Sequence, residues 1–136
     1  MGLMNVFAIA GSGLVAQTVR MNTVASNLAN AGVEAGSAET AYRARHPVFQ
    51  AVYDRALGGV AAVRVAGIVE STAEPPRRYR PDHPLADAEG YVYESNVNIV
   101  EEMTDLLSAS RSYQGGVELL DTAKDLMLAT LRLGEN

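Results

Sequence analysis

The sequence predicts an α+β fold: long N- and C-terminal helices that pair as a coiled coil, with a small β-rich region between them. Three observations predict it. Apolar residues recur every seven positions within 1–33 and again within 96–136, the repeat of a helical seam. Short valine-rich runs broken by glycine and proline fill the interval 34–95. Charge is partitioned as well: residues 1–33 carry Arg20 alone, whereas residues 91–136 carry eight acids against three basic side chains.

The first seam consists of Phe7, Leu14, Met21 and Leu28, with Ala10, Val24 and Ala31 three residues on and Gln17 as the break in that second series. It predicts a helix from about residue 4 to Asn30, roughly 40 Å long at 1.5 Å per residue. Gly32 is the expected helix-ending residue, in a left-handed turn. No basic n-region precedes the apolar stretch, so it does not read as a secretory signal. Asn5, Ser12, Gln17, Thr18, Arg20 and Asn22 interrupt every window of the roughly 20 apolar residues a membrane span needs. The chain is therefore expected not to be membrane-inserted, and any export is expected to leave its start uncleaved.

The middle reads as extended. Residues 47–53 form one strand and residues 60–69 a second, with Val63, Val65 and Val69 alternating onto one face and Gly58-Gly59 turning the hairpin. Residues 74–84 form a proline-locked loop, its Arg77, Arg78 and Arg80 solvated and partly balanced by Glu74 and Asp82. Residues 91–93 add a short third strand. The second seam follows: Leu106, Tyr113, Leu120 and Met127, with Met103, Val117 and Leu131 as a companion row. Asn98 is its N-cap, with Glu101 as capping-box partner, and Gly134 its stop. Gly115-Gly116 in its middle reads as a close helix–helix contact or kink.

Chemistry is sparse. With no cysteine there is no thiolate nucleophile, disulfide or Cys-based zinc site. A formal charge of −5 lacks the clustered basic face of a nucleic-acid module. Gly11-Ser-Gly13-Leu-Val-Ala16, with Glu34 about 20 residues on, has the spacing of a dinucleotide-binding turn, but no alternation of strands and helices follows it. A small dinucleotide-binding enzyme is thus one alternative and a soluble coiled-coil adaptor another. His83 beside Asp87 and Glu89 is expected to be a surface loop histidine. No catalytic, cofactor-binding or metal residue is expected, and no nucleic-acid or small-molecule partner. Two long seams with little between them call instead for neighbouring copies or related chains.

Particular stretches sharpen that reading. Arg20-Met-Asn-Thr-Val-Ala-Ser-Asn-Leu-Ala-Asn30 resembles the helix end shared by flagellar axial proteins. His83-Pro-Leu-Ala-Asp-Ala-Glu-Gly-Tyr-Val-Tyr-Glu-Ser-Asn-Val-Asn98, followed by Val100-Glu-Glu-Met103, Ser108-Ala-Ser-Arg-Ser-Tyr113 and Thr122-Ala-Lys124, resembles the bacterial flagellar basal-body (proximal) rod family of the FlgC type. Ala31-Gly32-Val33 and Gly115-Gly116 depart from that family's pattern. The resemblance implies a structural subunit, exported unfolded through the flagellar type III apparatus without a cleaved signal. Such subunits polymerise helically with copies of themselves and other rod proteins into the periplasmic axle that carries motor torque to the hook. It further implies that the terminal helices line the inner tube, the β-rich middle faces outward, and Asn27 and Asn30 sit near subunit contacts. Together with the seams, the expected assembly interface is Phe7, Leu14, Met21, Asn27, Leu28, Asn30, Met103, Leu106, Tyr113, Val117, Leu120 and Met127.

Overall fold

Two helices of 27 and 36 residues bracket five strands in the computed structural model, which describes residues 2–55 and 58–134. In chain order these are α1 (Leu3–Ala29), β1 (Glu34–Ala35), β2 (Arg45–Asp54), β3 (Val60–Glu70), β4 (Arg77–Tyr79), β5 (Tyr91–Glu94) and α2 (Ile99–Gly134). The α+β class and both helices match the expectation to within a residue or two. The run expected as a possible dinucleotide turn, residues 6–16, is helical throughout, which removes the strand that such a turn requires.

α1 ends on Asn30, whose side-chain amide donates to the Ser26 carbonyl at 2.8 Å. The next N–H groups tighten into three-residue turns, Ala31 donating to the Leu28 carbonyl and Val33 to that of Asn30. These bonds satisfy the last helical carbonyls without a left-handed residue. Gly32 accordingly stays out of the left-handed region, contrary to expectation: among the described residues only Gly58, Gly59 and Gly90 have positive φ. α2 opens as anticipated, the Asn98 side-chain oxygen accepting from the N–H groups of Val100 and Glu101 at 3.1 and 3.3 Å. It continues unbroken through Gly115 and Gly116.

β2 and β3 form the expected antiparallel hairpin, with Gly58 and Gly59 at φ 77° and 80° beside its tip; Ala56 and Leu57 lie outside the described residues. The register slips between Val48, opposite Gly67, and Phe49, opposite Val65, which leaves Ala66 over. One extra residue inverts the alternation beyond it. Val63 and Val65 therefore share a face with Ile68, and Val69 falls on the other face, correcting the single valine face.

A second sheet was only half legible. β5 is the expected third strand, but it lies at the centre of the order β1-β5-β4, antiparallel to both neighbours. β4 lies inside the stretch expected to be loop. Its three residues owe their conformation to pairing with Tyr91, Val92 and Tyr93 across the turn, not to local propensity. Val92 at the sheet centre is fully buried.

The core is made of small side chains. Among the described residues the buried apolar set is Val24, Val92 and seven alanines, while Val100, Met103, Val117 and several leucines of α2 stay exposed. α1 packs against α2 on one side and against the hairpin on the other, where the Val63 N–H donates to the Ser12 hydroxyl at 3.1 Å. No helix among the described residues is long and apolar enough to cross a membrane.

Candidate assembly surface

α1 and α2 pack against each other. In α1, Phe7, Leu14, Met21 and Leu28 are half-buried and Ala10 and Val24 buried; in α2, Leu106, Tyr113, Leu120 and Met127 are half-buried. The companion row in α2 is one residue away from its expected place. Glu102, Ala109, Gly116 and Ala123 turn inward, whereas Met103, Val117 and Leu131 are 55, 37 and 60% exposed. Small side chains let α1 approach closely: a Cβ on Gly116 would lie 2.8 Å from the Leu14 Cδ2 atom, while one on Gly115 would meet nothing within 4 Å. The glycine pair is thus a close contact at Gly116, not a kink.

Where the helices meet the β-rich region, a polar joint replaces this apolar seam. Asn27 is fully buried and all its hydrogen-bonding capacity is used. Its amide nitrogen donates to the Arg45 carbonyl at 2.8 Å and to the Glu102 carboxylate at 3.1 Å. Its oxygen accepts from the Arg45 N–H at 2.9 Å and the Tyr42 hydroxyl at 3.0 Å. Arg20 and Asp105 add an ion pair one to two turns along. Opposite, the Ser95 hydroxyl donates to the Ala31 carbonyl at 2.7 Å, and the Asn96 side chain ties the Ala44 N–H to the Ala73 carbonyl. The Ser26-Asn27 and Ser95-Asn96 pairs, conspicuous as motif residues in the sequence, are the fastenings of this joint.

The loop before β5 has its own logic. One Asp87 carboxylate oxygen accepts from the N–H groups of Glu89 and Tyr91, both at 2.9 Å, and Gly90 turns at φ 85° against Tyr79 and Pro81. His83 lies in the loop before β5, as expected, and pairs with Glu34 rather than with Asp87 or Glu89. The ring of His83 accepts the Leu85 N–H on Nδ1 and faces the Glu34 carboxylate at 2.8 Å through Nε2, so the histidine is a half-buried structural residue. The arginines likewise find partners other than Glu74 and Asp82, because β4 pairs with β5. Arg78 meets Glu94, Arg80 meets Glu34, and Arg77 lies 4.5 Å over the Tyr91 ring.

Asn27 lies beside Glu102 and Leu14 beside Gly116, so the helices run antiparallel. Level at the joint, α2 outruns α1 by roughly two turns. Along its outer face Val100, Met103, Leu107, Val117, Leu128 and Leu131 are exposed at heptad-related positions, and Leu133 is exposed on the overhang. Of the twelve expected interface residues, Met103 and Val117 lie on this outer face. Asn27 is inside the joint, Asn30 caps α1, and the other eight are half-buried, Leu14 among them lying against Gly116.

Such a molecule, with a helix pair closed by small residues and an apolar face left uncovered, belongs to the class of structural subunits. The chain matches the family described as Flagella basal body rod protein over residues 7–34, and that described as Flagellar basal body rod FlgEFG protein C-terminal over residues 88–133. Over 99% of its length it is 50% identical to the flagellar basal-body rod protein FlgC of Salmonella typhimurium and 51% identical to that of Escherichia coli O157:H7. Identity to the FlgC of Buchnera aphidicola subsp. Acyrthosiphon pisum is 36% over the same share, and all three relatives are covered completely. The chain belongs to the FlgC family of flagellar basal-body rod proteins, a structural and not an enzymatic family. The matched segments hold α1 at one end and β5 with α2 at the other.

Proposed function

We propose that the chain polymerises helically, with copies of itself and other rod proteins, into the axle that transmits motor torque to the hook. On this reading residues 1–33 and 96–136 are the rod-core helices, paired as a coiled coil, and residues 34–95 are the outward β-rich region. Phe7, Leu14, Met21, Leu28, Leu106, Tyr113, Leu120 and Met127 first close the pair and then present its rim to neighbours. Met103 and Val117 meet neighbours directly, while Asn27 and Asn30 hold the helix end in place. The observation that carries the reading is the exposed outer stripe of α2, which one chain cannot cover.

Export through the flagellar type III apparatus and residence in the periplasmic stretch of the basal body complete the reading. The test is Leu131→Asp. This residue is 60% exposed, so the isolated chain should keep its helix content and melting temperature while rods fail to form and swimming is lost. Normal swimming with the charge in place would exclude this face from assembly.

A further inference from the structure

We infer that Asn27 is the positioning residue of the subunit: its amide fixes both the register of the helix pair and the angle at which the β-rich region leaves it. α1, α2, the segment bearing Tyr42 and the start of β2 all converge on this one side chain, through four hydrogen bonds of 2.8 to 3.1 Å. Apolar packing is non-directional, and a seam of alanine and glycine offers few shapes to stop one helix sliding on the other. Hydrogen bonds in a fully satisfied buried network specify a single arrangement, and no buried side-chain polar atom among the described residues lacks a partner. The placement of Glu102 points the same way. It occupies the seam row continued by Ala109, Gly116 and Ala123, where a lone polar residue sets register at a cost in stability. Arg45 is held by both its N–H and its carbonyl, so the amide acts as a one-residue strand partner that orients the hairpin at its root.

The inference rests on the load-bearing reading for its purpose, since load passing from inner helices to outer region crosses this joint. Its spectroscopic test does not depend on that reading. The sequence has no cysteine, so Ser108→Cys on α2 and Ala66→Cys on β3, both exposed, take spin labels for distance measurement by double electron–electron resonance in the purified full chain. The parent should give one narrow distance. Asn27→Leu keeps the branched outline but not the bonds, and should broaden or split the distribution at unchanged far-ultraviolet circular dichroism. Tyr42→Phe, which loses one donor and keeps its ring, should broaden it less, and Glu102→Gln, whose oxygen still accepts the same N–H, should leave it narrow. Swimming should decline in the same order. If Asn27→Leu does not fold, Tyr42→Phe must still broaden the distance. A narrow distance in Tyr42→Phe and in any folded Asn27→Leu overturns the inference, as does a broadening by Glu102→Gln equal to that by Asn27→Leu. A broadened distance with normal swimming upholds the positioning role and contradicts the load-bearing reading.

Discussion

The two ends of the helix pair are built from different chemistry. At the joint end, Asn27, Glu102, Arg20 and Asp105 cross-link the helices by directional bonds, and Ser95 and Asn96 fasten the flanking segments. At the free end small residues and half-buried Phe7, Leu14, Leu120 and Met127 take their place, the hairpin adds a bond from the Val63 N–H to the Ser12 hydroxyl, and α2 runs on past α1 with its leucines exposed. Polar networks make the joint unique within one chain, whereas the free end has apolar surface that is buried only when another chain arrives. The contrast teaches where the subunit is finished by folding and where it is finished by assembly.

The largest break comes from a charge in the seam. Leu120→Asp removes a half-buried apolar side chain and places a carboxylate between the helices. Truncating a fully buried leucine costs about 2–5 kcal/mol, and desolvating an unpaired charge adds to the loss. Helix content in the isolated chain and rod formation in cells should both fall, with synthesis unaffected. A smaller effect is expected beside the joint. Gly90→Ala forces a side chain into φ 85° with its Cβ 2.8 Å from the Tyr79 ring, costing about 1–3 kcal/mol, and thermal melts should show the drop without change in the free helix ends.

The two helices and the Asn98 cap of α2 were legible, because heptad spacing and an asparagine N-cap are local signals. The inner row of α2 was not. Glu102, Ala109, Gly116 and Ala123 carry little apolar weight, whereas the larger Met103, Val117 and Leu131 stand out in the sequence and lie on the outer face of α2. β1 and β4 have two and three residues, too few for any pattern, and exist only through distant β5. The leftover Ala66 that turns Val69 over leaves no mark in composition. Asn27 stood out as a motif residue, but its three partner residues are 15 to 75 positions away, beyond any local reading.

The finest probe of the free end is the glycine pair. Replacing Gly115 by alanine meets nothing within 4 Å and should stabilise α2 by about 1 kcal/mol through helix propensity. Gly116→Ala gains the same propensity but presses on Leu14, an overpacking that costs about 1–3 kcal/mol, so its net effect should be zero or unfavourable. Equal melting temperatures for the two variants would mean that the helices do not approach at Gly116.

Hydrogen exchange on the purified full chain tests the central contrast most directly. Amides of residues 20–30 and 99–109, at the joint, should exchange slowly, together with those of β5. Amides of residues 120–134, at the free end of α2, should exchange quickly, since few buried contacts hold them in a single chain. Slow exchange along the whole of both helices in a verified monomer, or fast exchange at the joint itself, would contradict the account.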